Sequence, residues 1–384
     1  MNSHKGNFAV LAAGFSGMVF FGVSLVVMGS VLPSLIEKFS LDTAGASTIA
    51  GLLPLGLMLG SLVFGPVVDR YGYKKLLIAA TLAAVFGMEL LAFAPSVSLV
   101  RIAIFFIGLG GGILNGLTSA LISDASSDKA RASNLSILGV FYTVGAITIP
   151  LIFASLKHIY TYTHIVSAAG VIMACSVLYY LFVKFPEGKF EGGFPVKKML
   201  ALAKEPAMLL LAFTLFLQSG AEGLASNWIP SFLEKVKGFS SENALYALSF
   251  MVFGMGTGRI LLGVLLRIFS KSLLLTLSMT VAAAGITIVG LTSDNLWVSV
   301  GTFLTGMGSA ATFPVVFSVI GDKFREVSGT AFSFALTIAL IGNTLINLMV
   351  GVLGLSSLTI LIAAISLAVP VIFYFNTKYI RSKN

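Results

Sequence analysis

Pro33-Ser34-Leu35-Ile36-Glu37-Lys38 returns 197 residues later as Pro230-Ser231-Phe232-Leu233-Glu234-Lys235, and the chain around it repeats as well. Gly56, Gly60 and Gly65 recur as Gly254, Gly258 and Gly263 at an offset of 198. At that same offset of 198, Gly22, Gly108 and Asp124 recur as Gly220, Gly306 and Asp322. A period of about half the 384-residue chain implies two related halves. Because the residues between these marks are mostly apolar, the halves are expected in lipid, as in transporters built from repeats around a midplane site.

The composition points the same way. The chain is 57% hydrophobic and 10% charged, whereas soluble domains carry about 25% charged residues. Too few polar side chains remain to cover a water-facing surface, and disorder is excluded by the same balance. Twelve apolar stretches approach or exceed the roughly 20 residues that a span needs. Their limits lie near 8–36, 44–68, 76–94, 98–124, 134–157, 162–184, 206–236, 240–269, 271–292, 295–321, 327–353 and 355–377. They are continuous instead of alternating, which indicates helices and not barrel strands. The first is too long for a signal peptide, and no small-residue cleavage site follows it. The expected fold class is an all-α integral membrane protein with 12 transmembrane helices in two pseudo-symmetric six-helix bundles. Its domains are expected at 1–184 (N-terminal bundle), 185–204 (cytoplasmic linker, with Pro186, Gly188, Gly192, Gly193 and Pro195) and 205–384 (C-terminal bundle).

Lysine and arginine set the orientation. With both termini in the cytoplasm, 18 of the 24 basic residues fall inside; Lys38, Lys157, Lys235 and Lys237 fall outside, and Arg101 and Arg259 lie within spans. The net charge of +9 is thus a topology signal, and no nucleic acid is needed as a partner. The expected location is a bacterial inner membrane, multi-pass, with both termini cytoplasmic. Glycines such as Gly108, Gly110, Gly111, Gly112 and Gly116 sit inside spans, where small residues let helices approach. A phosphate-binding loop would need a strand–helix context that these lack. Cys175 is the only cysteine and reads as a core thiol; the three histidines are too scattered for a metal site. No catalytic or nucleotide-binding motif appears, so the chain reads as no enzyme, with no cofactor and no metal.

Gly65-Pro66-Val67-Val68-Asp69-Arg70-Tyr71-Gly72-Tyr73-Lys74-Lys75-Leu76-Leu77 joins spans 2 and 3. It resembles the signature loop of the major facilitator superfamily through Gly65, Asp69, Arg70, Gly72, Lys74 and Leu77. Tyr73 departs, standing where that family has a basic residue. In the second half Gly263 and Lys271 remain, but Arg267 takes the place of Asp69. The resemblance implies alternating access about a cavity lined by spans 1, 2, 4, 5, 7, 8, 10 and 11, with Gly65, Asp69, Arg70, Gly72 and Lys74 as a conformational latch. Independently of it, Asp69 at a helix end suits the N-terminus of a facing helix. A plain topology-setting basic loop is the other reading. The run from Gly108 through Asn115 and Asp124 to Asn134-Leu135-Ser136, and Glu222 with Asn227-Trp228-Ile229-Pro230-Ser231, resemble the fucose and glucose symporters of that superfamily. In span 5, Ile149 replaces the glycine before Pro150 that drug:proton antiporters carry.

Four charged side chains lie deep in the spans: Glu89, Arg101, Glu222 and Arg259. In lipid each must be paired, interfacial or beside a wet cavity. Glu89 and Arg101 flank one outer turn at matched depth and are expected to pair or to snorkel, with Arg101 the better placed to touch substrate. Glu222 lies near the middle of span 7, where a carboxyl that gains and loses a proton meets the physical requirement for coupling. A charge pair with Arg259 is the alternative, compatible with Arg259 as a modulator of coupling. Asn115, Gln218, Asn227, Asn343 and Asn347 supply hydrogen bonds for a polar substrate, or bond helix to helix. Asn343 and Asn347 share one helix face. Trp228 is read either as a stacking surface for a sugar or as an interfacial belt residue. The expected partners are a small-molecule substrate, H+ as coupling ion with Na+ as the alternative, and the lipid bilayer, with the monomer as the functional form. The expected function is proton-coupled uptake of a sugar or similar polar solute; export of amphipathic compounds or organic anions is the alternative.

Overall fold

A computed structural model describes residues 2–41, 43–156, 159–188 and 201–383. Most of the expected linker (189–200) and the basic positions Lys157, Lys189, Lys197 and Lys198 lie outside the described residues. Among the described residues all regular structure is helical. The helices are α1 (Asn2–Phe39), α2 (Thr43–Tyr71), α3 (Tyr73–Phe93), α4 (Val97–Ala125), α5 (Arg131–Leu156) and α6 (Tyr162–Phe182). They continue with α7 (Pro206–Lys235), α8 (Ser241–Leu265), α9 (Lys271–Leu291), α10 (Asn295–Ser309), α11 (Thr312–Lys323), α12 (Ser328–Leu353) and α13 (Leu358–Lys383). Among the described residues, twelve segments are long and apolar enough to cross a membrane, with α10 and α11 together forming one. Exposed Phe182, Leu291 and Val352 show the apolar exterior such spans present.

The chain forms two compact units whose limits cut across the sequence order. One comprises Met1–Ala125, Phe141–Val196 and Phe324–Ser333; the other comprises Ser126–Val140, Lys197–Lys323 and Phe334–Asn384. The first ten residues of α5 therefore belong with the second unit, and the first six of α12 with the first.

Inside the units the duplicated glycines make duplicated contacts. A Cβ on Gly56 would strike the Phe105 carbonyl, and one on Gly60 the Leu109 carbonyl; on Gly254 and Gly258 it would strike those of Phe303 and Met307. Gly108 likewise abuts the Leu53 carbonyl, and Gly306 that of Met251. The α2–α4 and α8–α10 pairs thus rest backbone on backbone at equivalent positions, which side chains would forbid.

The break between α10 and α11 has a local cause. Pro314 lacks the N–H that would bond the Ala310 carbonyl, and the helix is interrupted between Ser309 and Thr312. Gln218 on α7 closes the gap: its Nε2 donates to Ser309 O at 3.1 Å and its Oε1 accepts from Thr312 Oγ1 at 3.3 Å.

Candidate functional site

The second unit gathers four neutral polar side chains between α7 and α12. Asn347 Oδ1 accepts from Trp228 Nε1 at 3.0 Å and from Asn227 Nδ2 at 3.2 Å. Asn347 Nδ2 donates to Asn343 O at 2.8 Å and to Asn343 Oδ1 at 3.1 Å. Gly223 makes room for them: a Cβ there would lie 2.5 Å from Asn347 Nδ2 and 2.6 Å from Asn343 Oδ1. The cluster is half-open, with Asn227 exposed and Trp228, Asn343 and Asn347 partly buried. The Trp228 ring also rests on the apolar core built from Leu224, Phe232 and Ile346. Such a set presents amide donors and acceptors beside an aromatic face, without a formal charge. Gly223 is a member that sequence reasoning missed; its place beside Glu222 in a span rich in polar residues was the available signal.

Glu222 is half-buried on α7, one residue from Gly223. The charge of Arg259 on α8 acts on it electrostatically. Arg259 also reaches α5, where its Nη1 donates to Gly139 O at 2.9 Å. The missing side chain of Gly139 admits the arginine, since a Cβ would lie 2.8 Å from Arg259 Cδ and 2.9 Å from Nε.

Gln218 stands apart from this cluster. It is fully buried, and both ends of its amide serve the broken span described above. In the first unit, Asn115 is partly buried on α4, and its carbonyl accepts from Ser119 Oγ at 2.8 Å. Arg101 is exposed on the same helix and donates to Thr48 Oγ1 at 3.4 Å.

The expected pairing of Glu89 with Arg101 is not found. Glu89 Oε2 accepts instead from Ser167 Oγ on α6 at 2.8 Å, and Oε1 packs over Gly170. Residues six before and five after a turn lie on faces set by helix rotation, which spacing across a turn does not fix.

The signature loop is built into the first unit. Asp69 is buried, and its Oδ1 accepts from Gly329 N at 3.1 Å. Its Oδ2 accepts from Thr330 N at 2.8 Å and Thr330 Oγ1 at 2.6 Å. These N–H groups open α12, where a helix has no internal acceptors and a positive dipole end. Gly65 lets the helices meet, because a Cβ there would strike Gly329 O. Gly72, at φ +78°, makes the one-residue turn from α2 to α3. Arg70 lies over the Tyr71 ring, and Lys74 Nζ donates to Leu181 O at 2.6 Å near the end of α6.

Tyr73, the departure from the signature, donates to Asp124 Oδ2 at 2.6 Å. Ser328 Oγ donates to Asp124 Oδ1 and Oδ2 at 3.0 and 3.1 Å. The repeat counterpart is ionic: Lys271 Nζ donates to Asp322 Oδ2 at 2.7 Å, and Arg131 pairs with Asp322 and, at 3.0 Å, with Asp128. Asp124 was marked as a repeated position and as part of the symporter resemblance, and Asp322 only as its repeat. Their roles were hidden because Ser328 and Arg131 are distant in sequence from the acids they meet.

The family model described as Major Facilitator Superfamily matches residues 12–347. The chain is 24% identical to the glucose/mannose transporter of Bacillus subtilis, over 87% of this chain and 86% of that one. It is 27% identical to the 3-(3-hydroxy-phenyl)propionate transporter of Escherichia coli, over 90% of this chain and 89% of that one. Among solved structures, the fucose:proton symporter of Escherichia coli matches with a TM-score of 0.76 at 16% identity, covering 94% of this chain and 98% of that one.

Proposed function

The chain belongs to the Major Facilitator Superfamily, and from that premise we propose a secondary active transporter that works by alternating access and takes up a sugar or other small polar solute with protons. The carrying observation is the uncharged cluster of Asn227, Trp228, Asn343 and Asn347 beside Gly223, one residue from Glu222. Polyols offer many hydroxyls and an apolar C–H face, which amides and an indole recognise without the cost of burying a charge. Glu222 is the coupling residue in this reading, with H+ as the ion and Na+ as the alternative. Asn115 and Arg101 are kept as substrate contacts from the first half, and Gln218 is set aside.

The functional halves are 1–184 and 205–384 in this proposal, joined by 185–204, and they act within one monomer. Both termini are cytoplasmic in a bacterial inner membrane. Gly65, Asp69, Arg70, Gly72 and Lys74 form the latch, because Asp69 holds the α12 N-terminus in only part of a transport cycle.

The test is uptake into proteoliposomes over a sugar panel, with and without a proton gradient. Saturable uptake accelerated by the gradient, with that acceleration lost in Glu222→Gln, supports the reading. Uptake indifferent to the gradient overturns proton coupling. A second reading is transport of an organic carboxylate. It draws on the relative named for 3-(3-hydroxy-phenyl)propionate and on Arg259, a cation placed within a span. Competition by aromatic carboxylates, but not by hexoses, would select it.

A further inference from the structure

Two groups that cannot exchange roles fix which atoms donate and which accept in the cluster on α7 and α12. The indole N–H of Trp228 can only donate, and the backbone carbonyl of Asn343 can only accept. Asn347 lies between them: its Oδ1 takes the indole N–H at 3.0 Å, and its Nδ2 gives to Asn343 O at 2.8 Å. Its amide therefore has one orientation, and it imposes one on each neighbour. Asn227 must turn its Nδ2 to Asn347 Oδ1, at 3.2 Å, and Asn343 must turn its Oδ1 to Asn347 Nδ2, at 3.1 Å. Both lone pairs of Asn347 Oδ1 and both of its N–H groups are then in use. We propose that Asn347 is a positioning residue that leaves Asn227 Oδ1 and Asn343 Nδ2 to the solute, so that the site selects a neutral polyhydroxylated solute that donates to the first and accepts from the second.

Among the described residues, neither Asn227 Oδ1 nor Asn343 Nδ2 bonds to protein. Asn227 is exposed and Asn343 half-buried. The contact between Asn347 Nδ2 and Asn343 Oδ1, by contrast, is covered by α7 at Gly223, where a Cβ would lie 2.5 and 2.6 Å from the two atoms. A solute thus meets an acceptor on α7 and a donor on α12. Adjacent hydroxyls of a sugar answer both, because each can give and take. A carboxylate only accepts, so it would bury Asn227 Oδ1 without a donor, and a site built to receive a hydrogen bond rejects a ligand that cannot supply it. None of the four side chains recurs at the offset of 198, where Gly29, Ser30, Gly145 and Ile149 stand. The polarity therefore comes from the second half alone.

This inference rests on the sugar reading of the cluster, and two measurements keep them apart. The first needs no solute. Asn343→Asp keeps an oxygen toward Asn347 Nδ2 and so keeps every hydrogen bond of the cluster, whereas Asn347→Asp sets an oxygen against the Asn343 carbonyl and loses two of them. In the purified full chain the melting temperature should fall ~4–8 °C further in Asn347→Asp than in Asn343→Asp, the effect of two neutral hydrogen bonds. Equal melting temperatures, or the reverse order, overturn the assigned polarity. The second measurement is proteoliposome uptake of the best-transported hexose of the panel and of its monodeoxy and monodeoxyfluoro analogues, since fluorine accepts weakly and never donates. At one ring carbon both analogues should raise KM ~3–10-fold with kcat little changed, which marks the hydroxyl that donates to Asn227. At another carbon only the deoxy analogue should do so, which marks the hydroxyl that accepts from Asn343. In Asn343→Asp the fluoro analogue at that second carbon should become ~3–10-fold poorer, because the group facing it no longer donates. Asn347→Leu, by freeing both amides to turn, should erase the difference between fluoro and deoxy there. Fluoro analogues tolerated at every carbon, or a profile unmoved by Asn343→Asp, overturn the proposal. If no hexose enters at all, the sugar reading falls and the proposed solute class with it, while the melting temperatures still decide whether Asn347 positions its neighbours.

Discussion

Trp228 is tied by its indole N–H to the amide oxygen of Asn347, while its ring lies on the core of the second unit. That double attachment separates two contributions that mutation can resolve. Trp228→Phe keeps an aromatic face and deletes one donor, so KM for the transported substrate should rise ~3–10-fold with kcat little changed, the worth of one neutral hydrogen bond. Asn347→Leu removes the hub of the cluster and orphans three partners at once; KM should rise by ~100-fold or more. Both are read from initial uptake rates, and an unchanged KM in Asn347→Leu would exclude the cluster as the binding site. At this scale the sequence was informative about type and silent about partner. Asn343 and Asn347 share a face by their spacing, as expected. That Gln218 would serve a broken backbone, or that Arg259 would meet Gly139, depended on contacts between residues 91 and 120 positions apart.

Helices α2 and α4 touch through glycine and carbonyl, and α8 and α10 repeat the arrangement. Gly306→Leu should therefore force the α8–α10 pair apart and lower the melting temperature of the purified protein, overpacking of this kind costing at least ~1–3 kcal/mol. Gly29→Ala provides the contrast, since a Cβ there meets nothing within 4 Å and should leave the melting temperature unchanged. Equal behaviour of the two variants would mean that the rungs do not carry the packing. Gln218→Leu should also destabilise, by ~1–3 kcal/mol, because the Ser309 carbonyl loses its donor inside the protein. The helices themselves were plain in the sequence, because twelve long apolar runs admit no other solution in lipid. The break in the tenth was not, although Pro314 stood in view. Apolar character is continuous across Ser309–Thr312, so the run reads as one helix until the hydrogen bonds are traced.

Across the whole molecule, α5 and α12 each divide between the two compact units. No pattern of hydropathy announces this, because the exchanged residues are ordinary helix starts whose partners lie more than 120 positions away. Asp69 is the acceptor that holds one of them. Asp69→Asn retains an acceptor oxygen but loses the charge facing the helix dipole and the second carboxylate oxygen, so net uptake should fall ~10-fold. Substrate binding should persist, since the cluster on α7 and α12 is untouched; loss of binding would assign Asp69 a wider role. The proposed orientation is checked separately: a green fluorescent fusion after Asn384 should fluoresce, and alkaline phosphatase fused after Lys237 should be active. Lys38 and Lys237 count against that orientation in a simple tally of charges. In place, Lys38 Nζ donates to Ala94 O at 3.0 Å beyond α3, and Lys237 Nζ to Gly290 O at 2.5 Å near the end of α9. Each plugs the negative tip of an equivalent helix in its own half, so these two lysines are fittings of the folded product. The membrane-insertion machinery would have to let them through against its usual preference, and neutral replacements should insert at least as readily while fraying the helix tips they leave uncapped.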